Sequence, residues 1–299
     1  PSATLTPTET STLTPWPTDT PSSTPTIAHT ETPTEQPTLS FTPAPLPTPD
    51  GVCRALNVPI LMYHYVSIPP AGADSVRRDL SVTPQRFEEH LLYLREAGYT
   101  CITLYDLALA LQIGQPLPAK PVVITFDDGY RDNYTQAFPL LRQYGFAATF
   151  FLITKPIDEG QADYVTWEQV IEMDAAGMNM EAHGYTHSDL RGRDVDYLVW
   201  QVLGAKEAIE ARTHKPVRFF AYPSGKYDEQ TMRVLHSANY WGAVTITNGI
   251  TQRSERVFQL DRVRVRGSYT ASKLAAVLSA YEDQTIIEEA LPCTMTPLP

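Results

Sequence analysis

The chain has 299 residues, with 34 acidic side chains against 23 lysines and arginines and a formal net charge of −11. That balance, with no basic block anywhere, argues against nucleic acid or an anionic membrane surface as a partner. No apolar run reaches the length of a membrane-spanning helix, and the chain suffices for one large domain or two small ones.

Residues 1–50 hold 12 of the 26 prolines, 16 threonines, five acids and no lysine or arginine. Such a segment has too little apolar surface to repay its ordering entropy, and proline keeps it extended. Residues 1–52 therefore read as a disordered Thr/Pro-rich linker or stalk, the composition of an O-glycosylated spacer, and 53–299 as the folded domain. The chain opens at Pro1 without a signal segment, so either a signal was removed or the sequence starts inside a longer gene. Cys53 and Cys293 flank the folded part and are expected to pair as a clasp, whereas Cys101 in an apolar stretch reads as a small buried hydrophobe.

From residue 58 strands and helices alternate. VPILMYH (58–64) reads as a buried strand, and TPQRFEEHLLYLREAG (83–98) as a helix with Thr83 as N-cap, Pro84 in its first turn and Gly98 at its end. YTCITL (99–104) reads as a strand, followed by a short helix from about 105 to 111. PVVITF (121–126) is a strand, and DNYTQAFPLLRQYG (132–145) a helix that Pro139 should kink. Strand 147–153, helix 166–177 and strand 178–182 follow, then a long helix near 194–213 and strand 217–222. Helix 228–239, strands 241–247 and 258–265 and helix 271–282 complete the pattern. Alternation of this kind implies a parallel sheet, and the number of units implies an irregular (β/α) barrel of about seven to eight strands. The irregularity is expected where strand 258–265 follows 241–247 with no helix between.

His64, Asp127, Asp128, His183 and Tyr222 all fall at C-terminal strand ends, which a parallel barrel brings to one face. Adjacent carboxylates in TFDDG repel each other unless a cation or a proton-transfer role separates their duties. His183 and His187 are four apart, and two imidazoles with one carboxylate suit Zn²⁺ or a related divalent ion while leaving positions open. One aspartate would bind the metal and the other would act as base. Taken singly, the aspartates could equally be a helix cap and the histidines exposed loop residues. The spacing does not match an EF-hand, and no His-Glu-x-x-His helix of a zinc peptidase is present.

TFDDG followed by His-x-x-x-His resembles the polysaccharide deacetylases of the nodulation-protein-B homology type, carbohydrate esterase family 4, over about 58–266. PILMYHYV and FFAYPSGKYD resemble more specifically the branch that de-N-acetylates poly-N-acetylglucosamine, in which the motifs are circularly permuted and the catalytic histidine comes from the first strand. The resemblance implies that 53–299 is the catalytic domain, with Asp127 as general base, His64 as general acid, and Asp128, His183 and His187 as metal ligands. It implies that the backbone N–H of Tyr222 faces the oxyanion, and a divalent cofactor: Zn²⁺, with Co²⁺ or Ni²⁺ as alternatives. The chain departs from the family where an arginine that orients the base is replaced by Ala221; Arg262 is the substitute, with Arg264 and Arg266 as rivals. Gly184 stands where a Ser or Thr is usual, the fourth motif is not recognisable, and no histidine follows His236. His29, His90, His214 and His236 read as tail or helix-surface residues. The expectation is a metal-dependent deacetylase of an acetylated polysaccharide, foremost a β-linked N-acetylglucosamine polymer. Peptidoglycan, chitin and acetylated xylan are alternative substrates, and a non-catalytic glycan-binding protein on this scaffold is the rival class. The expected setting is extracellular or cell-surface attached, as a monomeric catalytic domain tethered by its tail.

Overall fold

A computed structural model describes residues 48–282. Seven parallel strands close a barrel: β1 (Ile60–Tyr63), β2 (Pro121–Phe126), β3 (Thr149–Leu152), β4 (Asn179–Ala182), β5 (Phe219–Ala221), β6 (Gly242–Asn248) and β7 (Leu260–Arg264). Around the ring the order is β1, β7, β6, β5, β4, β3, β2, and β2 returns to β1 through the register Ile60↔Val123 to Tyr63↔Phe126. The YTCITL strand shrinks to Thr100–Cys101, which pairs only with the first two residues of β2 and stands outside the ring. No described helix is long and apolar enough to cross a membrane.

Side-chain alternation divides the core in two. Ile60, Val123, Phe151, Phe219, Ala221, Val244 and Leu260 pack together with Leu104, Leu107, Ala108 and Leu111 of helix Leu104–Ile113. That helix closes one end of the barrel, and a Thr103–Asp106 capping box fixes its start. The intervening residues, Leu61, Tyr63, Ile124, Phe126, Phe150, Leu152 and Phe220, pack outward against Phe87, Leu91 and Leu94 of helix Pro84–Glu96, among other helix residues. Thr83 caps that helix by accepting from the Arg86 N–H, as its sequence requires.

Between β6 and β7 the expected irregularity takes a definite form. The register slips between Val244 and Asn248, a short strand Thr251–Arg253 runs back to pair antiparallel with Ala55–Asn57, and a 3₁₀ segment, Ser254–Gln259, replaces a helix. Pro139 is accommodated differently from a simple kink. The chain takes a π-helical stretch, Asn133–Ala137, and Pro139 then sits in the first turn of helix Phe138–Tyr144, where its missing N–H is harmless. Helices Ser75–Leu80 and Thr154–Asp158 were not anticipated. Cys53 is disulfide-bonded and Cys101 is free. Cys293 and the tail up to residue 47 lie outside the described residues, so neither the clasp nor the stalk expectation is addressed.

Candidate metal and catalytic centre

The alternation that fills the barrel also builds the centre. Val123, Thr125 and Asp127 share one side of β2 and its continuation, as do Glu181 and His183 on β4, and Leu260 and Arg262 on β7. Apolar members of these rows fill the middle of the barrel, and Asp127, His183 and Arg262 lie toward the end where the strands finish, whereas Glu181 sits lower, accepting from the Tyr105 hydroxyl of helix Leu104–Ile113 and from the Arg218 and Phe219 N–H groups at the start of β5. His64, Asp127, Asp128, His183 and Tyr222 are all at that end, as the sequence predicts for a parallel barrel.

Asp128, His183 and His187 converge, with one ligand atom from each lying within 4.8 Å of the others. Asp128 Oδ1 is 3.3 Å from His183 Nε2 and 3.5 Å from His187 Nε2. The His183 Nδ1 lies 2.7 Å from the Ala221 carbonyl, which fixes that nitrogen as the protonated one and turns a lone pair at Nε2 toward the aspartate. Asp128 Oδ1 is buried without a hydrogen-bond donor. An acceptor oxygen facing two imidazole nitrogens, with no donor of its own, is a donor set completed by a divalent cation, and its chemistry fits Zn²⁺ and its neighbours. The backbone here is constrained: Asp128 has φ of 76° and His187 φ of 55°, rare for residues with side chains. Gly129 follows with φ of 75°, and a Cβ there would come within 2.9 Å of Leu152 Cδ2. The glycine of TFDDG is thus required by both the turn and the close approach.

Asp127 faces a different partner. Arg262, with no exposed surface, makes a two-pronged ion pair with it, Nη1 to Oδ1 and Nη2 to Oδ2, both at 2.7 Å. Arg262 Nε donates to the Thr245 carbonyl at 2.8 Å, and Nη1 lies 3.3 Å from Thr125 Oγ1. Burial alone would raise the Asp127 carboxyl, but Arg262 outweighs it and holds it below its ordinary range. The rival arginines, Arg264 at the last position of β7 and Arg266 beyond it, are drawn elsewhere: both pair with Asp79 at 3.0 Å. His64 Nε2 is 3.9 Å from Asp127 Oδ2, the oxygen that also accepts from Arg262 Nη2. Burial lowers the His64 pKa, against the pull of Asp127. Asn133 anchors it by donating from Nδ2 to the His64 carbonyl at 2.7 Å.

Two sequence readings need correction. The Tyr222 N–H donates to the Val244 carbonyl at 3.3 Å as a rung of the sheet, so it is not free to face an oxyanion. The Tyr222 side chain is also committed, its hydroxyl donating to the Phe258 carbonyl and its ring stacking on Tyr227. The second correction is His90, which is fully buried, with Nδ1 3.2 Å from the Tyr63 hydroxyl and Nε2 3.0 Å from the Tyr269 carbonyl. His214 and His236 are exposed, as expected. Thr125, Thr245 and Asn133, which hold Arg262 and His64, were not singled out from the sequence. The one available signal was that Thr125 is the inward residue immediately before Asp127.

Comparison with known proteins gives a consistent picture. A polysaccharide deacetylase family model matches residues 114–243. The Bacillus subtilis (strain 168) protein YxkH, which carries a polysaccharide deacetylase name, is 33% identical over 227 residues, 76% of this chain and 78% of its own length. The poly-beta-1,6-N-acetyl-D-glucosamine N-deacetylase of Escherichia coli (strain K12) is 33% identical over 111 residues, 32% of this chain and only 16% of that protein. Among solved structures, the Streptococcus pyogenes deacetylase PplD in complex with acetate aligns with a TM-score of 0.70 at 27% identity, covering 75% of this chain and 99% of that one.

Proposed function

The chain belongs to the polysaccharide deacetylases, and from that premise we propose that it is a metal-dependent hydrolase removing N-acetyl groups from a β-linked N-acetylglucosamine polymer. One observation carries the reading: the buried Asp127–Arg262 pair stands beside the Asp128, His183 and His187 donor set, with His64 at its flank. A non-catalytic glycan binder has no use for a carboxylate held ionised next to a metal site. The substrate class is supported by the likeness to the E. coli enzyme, which is named for poly-beta-1,6-N-acetyl-D-glucosamine.

In this reading Asp128, His183 and His187 hold the cation. When bound, it supplies Lewis acidity toward the amide carbonyl and lowers the pKa of water. Asp127 accepts the proton of the attacking water, and Arg262 keeps that carboxylate ionised and aimed. His64 Nε2, 3.9 Å from Asp127 Oδ2, delivers a proton to the amine as it leaves. Tyr222 being engaged and Pro223 lacking an N–H, the peptide N–H of Ser224 is the donor left for the oxyanion. Ser224 sits in a left-handed turn at φ of 53°, and its N–H has no partner among the described hydrogen bonds. The Thr/Pro-rich composition of residues 1–50 supports an extracellular or surface-attached setting for this chemistry.

The test is acetate release across acetylated glucosamine oligomers, chitin, peptidoglycan fragments and acetylated xylan, with Zn²⁺, Co²⁺ or Ni²⁺ restored to chelated protein. Metal-dependent release that is greatest on N-acetylglucosamine oligomers is expected. Release unaffected by chelation, or none from any glycan, would refute the reading.

A further inference from the structure

Helix Val195–Thr213 buries a stripe of Leu198, Val202, Ala205 and Ile209 in the core, and Gln201 belongs to that stripe with no exposed surface. An amide buried among apolar side chains is costly unless its oxygen and its nitrogen both find partners. Gln201 finds them chiefly in residues 184–188, the short segment that follows His183 and carries His187. Its Oε1 accepts from the Thr186 N–H at 3.0 Å, and its Nε2 donates to Thr186 Oγ1 at 2.7 Å. The Tyr197 hydroxyl, one turn earlier on the same helix, lies 3.3 Å from Nε2 and gives the second amide hydrogen an acceptor. The Thr186 N–H fixes which way the amide points, since only its oxygen can accept.

The two histidines of the centre are anchored unequally. His183 has bonds of its own: its N–H donates to the Leu152 carbonyl at 2.9 Å, and its Nδ1 meets the Ala221 carbonyl. The first half of the segment is pinned from two elements. The Thr154 and Lys155 N–H groups donate to the Gly184 and Tyr185 carbonyls at 3.4 and 3.0 Å, and the Tyr185 N–H donates to the main-chain carbonyl of Gln201 at 3.1 Å. His187 makes no hydrogen bond among the described residues, although its backbone is held in the left-handed region. Its neighbours hold it instead. Gln201 grips Thr186 by both N–H and hydroxyl, and that hydroxyl lies 2.8 Å from Ser188 Oγ, so the residues on either side of His187 belong to one hydrogen-bonded chain. Gly184 adds no side chain to this bracing, and a Cβ there would lie 3.5 Å from Gln201 Oε1.

We propose that Gln201 is the positioning residue for His187: through Thr186, its amide sets where His187 Nε2 stands relative to Asp128 Oδ1, 3.5 Å away, and so how tightly the centre holds a divalent cation. The proposal rests on the metal-dependent reading above.

The experiment uses the full chain freed of metal by chelation. It measures Zn²⁺ affinity by competition with a chromophoric chelator, the visible absorption spectrum of the Co²⁺-loaded protein, and urea unfolding of the metal-free protein. Gln201→Met, similar in length but lacking the amide, should weaken Zn²⁺ binding by roughly 10–100-fold and alter the Co²⁺ spectrum. Thr186→Val, which removes only the hydroxyl, should shift both in the same direction by less, and Thr186→Ser, which keeps the hydroxyl, should match the wild type. If Gln201→Met does not fold, the contrast between Thr186→Val and Thr186→Ser decides by the same two readouts. Unchanged Zn²⁺ affinity and Co²⁺ spectrum in Gln201→Met and Thr186→Val, with only the urea unfolding shifted, would make Gln201 a packing residue. That result, or a Thr186→Ser as impaired as Thr186→Val, would overturn the proposal and leave the metal-dependent reading intact. A wild type that binds neither Zn²⁺ nor Co²⁺ would overturn both.

Discussion

Replacing Arg262 by Met tests the centre more sharply than any change to a ligand. Arg262 is fully buried, and its partner Asp127 is 2% exposed, so deletion leaves a carboxylate stranded in a low dielectric. Breaking a buried ion pair in this way costs about 3–5 kcal/mol. For a domain of this size that corresponds to a fall in Tm of about 6–20 °C. The pH dependence separates lost charge compensation from lost packing. In the wild type Arg262 outweighs burial and keeps the Asp127 pKa depressed, so the stabilisation from the pair is complete above the unfolded value of about 4 and fades as pH falls through the folded one. In Arg262→Met burial has lost its main opponent and the folded pKa moves above the unfolded value. That protein loses stability as pH rises from about 4 through the raised pKa. The gap between the two proteins should therefore be smallest well below pH 4, where Asp127 is protonated in both, and should widen steadily to pH 8, as read by urea unfolding of chelator-treated protein. Asp127→Asn in the Arg262→Met background should recover part of the loss. A gap independent of pH, or a double variant no better than Arg262→Met alone, would refute the argument.

His183→Ala and Asp128→Ala should each abolish tight metal binding, and hence activity, because each removes one of three converging ligand atoms; metal content by mass spectrometry decides it. His64→Ala should lower kcat on an amide by roughly 10²–10⁴ with metal affinity retained, and by less on an activated ester whose leaving group needs no proton. Burial pushes the His90 pKa down to about 4, so the unfolded chain binds the proton more readily. Stability from this group is complete above about pH 6.5 and is lost as pH falls toward 4, by up to about 3 kcal/mol, and His90→Gln should flatten that part of the unfolding profile. Gly129→Ala, forced to φ of 75° and against Leu152 Cδ2, should unfold at lower denaturant concentration by more than the roughly 1 kcal/mol that a left-handed backbone alone costs.

The elements that could be read from the sequence are those whose signals are local. PVVITF is a strand along its whole length, and the Thr83-Pro84 start of its helix appears as written. The convergence of His64, Asp127, Asp128 and His183 follows from strand ends and parallel connections, which need no distance information. What stayed hidden depends on partners remote in sequence. Arg262, Arg264 and Arg266 look equivalent on one strand face, and only the distant carboxylate that each meets separates them. Asp79, which draws the latter two away, belongs to a six-residue helix too short to show a period. His90 looked solvent-facing because its partners, the Tyr63 hydroxyl and the Tyr269 carbonyl, come from distant segments. Whether the Tyr222 N–H is free depends on how far the β5–β6 ladder extends, and patterns place strand ends only approximately.

The position of β1 in the ring bears on how the molecule is made. Leu61 pairs with Val263 on one side and with Ile124 on the other, so the first barrel strand to be synthesised is held by the last. Until residues near 263 emerge, Ile60 and Leu61, both wholly buried in the finished barrel, have only half their neighbours. Closure is then a late, long-range event of the kind that folds slowly and leaves sticky strand edges exposed meanwhile. The strand that waits longest also carries His64, so a ribosome-bound or truncated chain lacking β7 would have the proton donor in hand and no fixed place to put it.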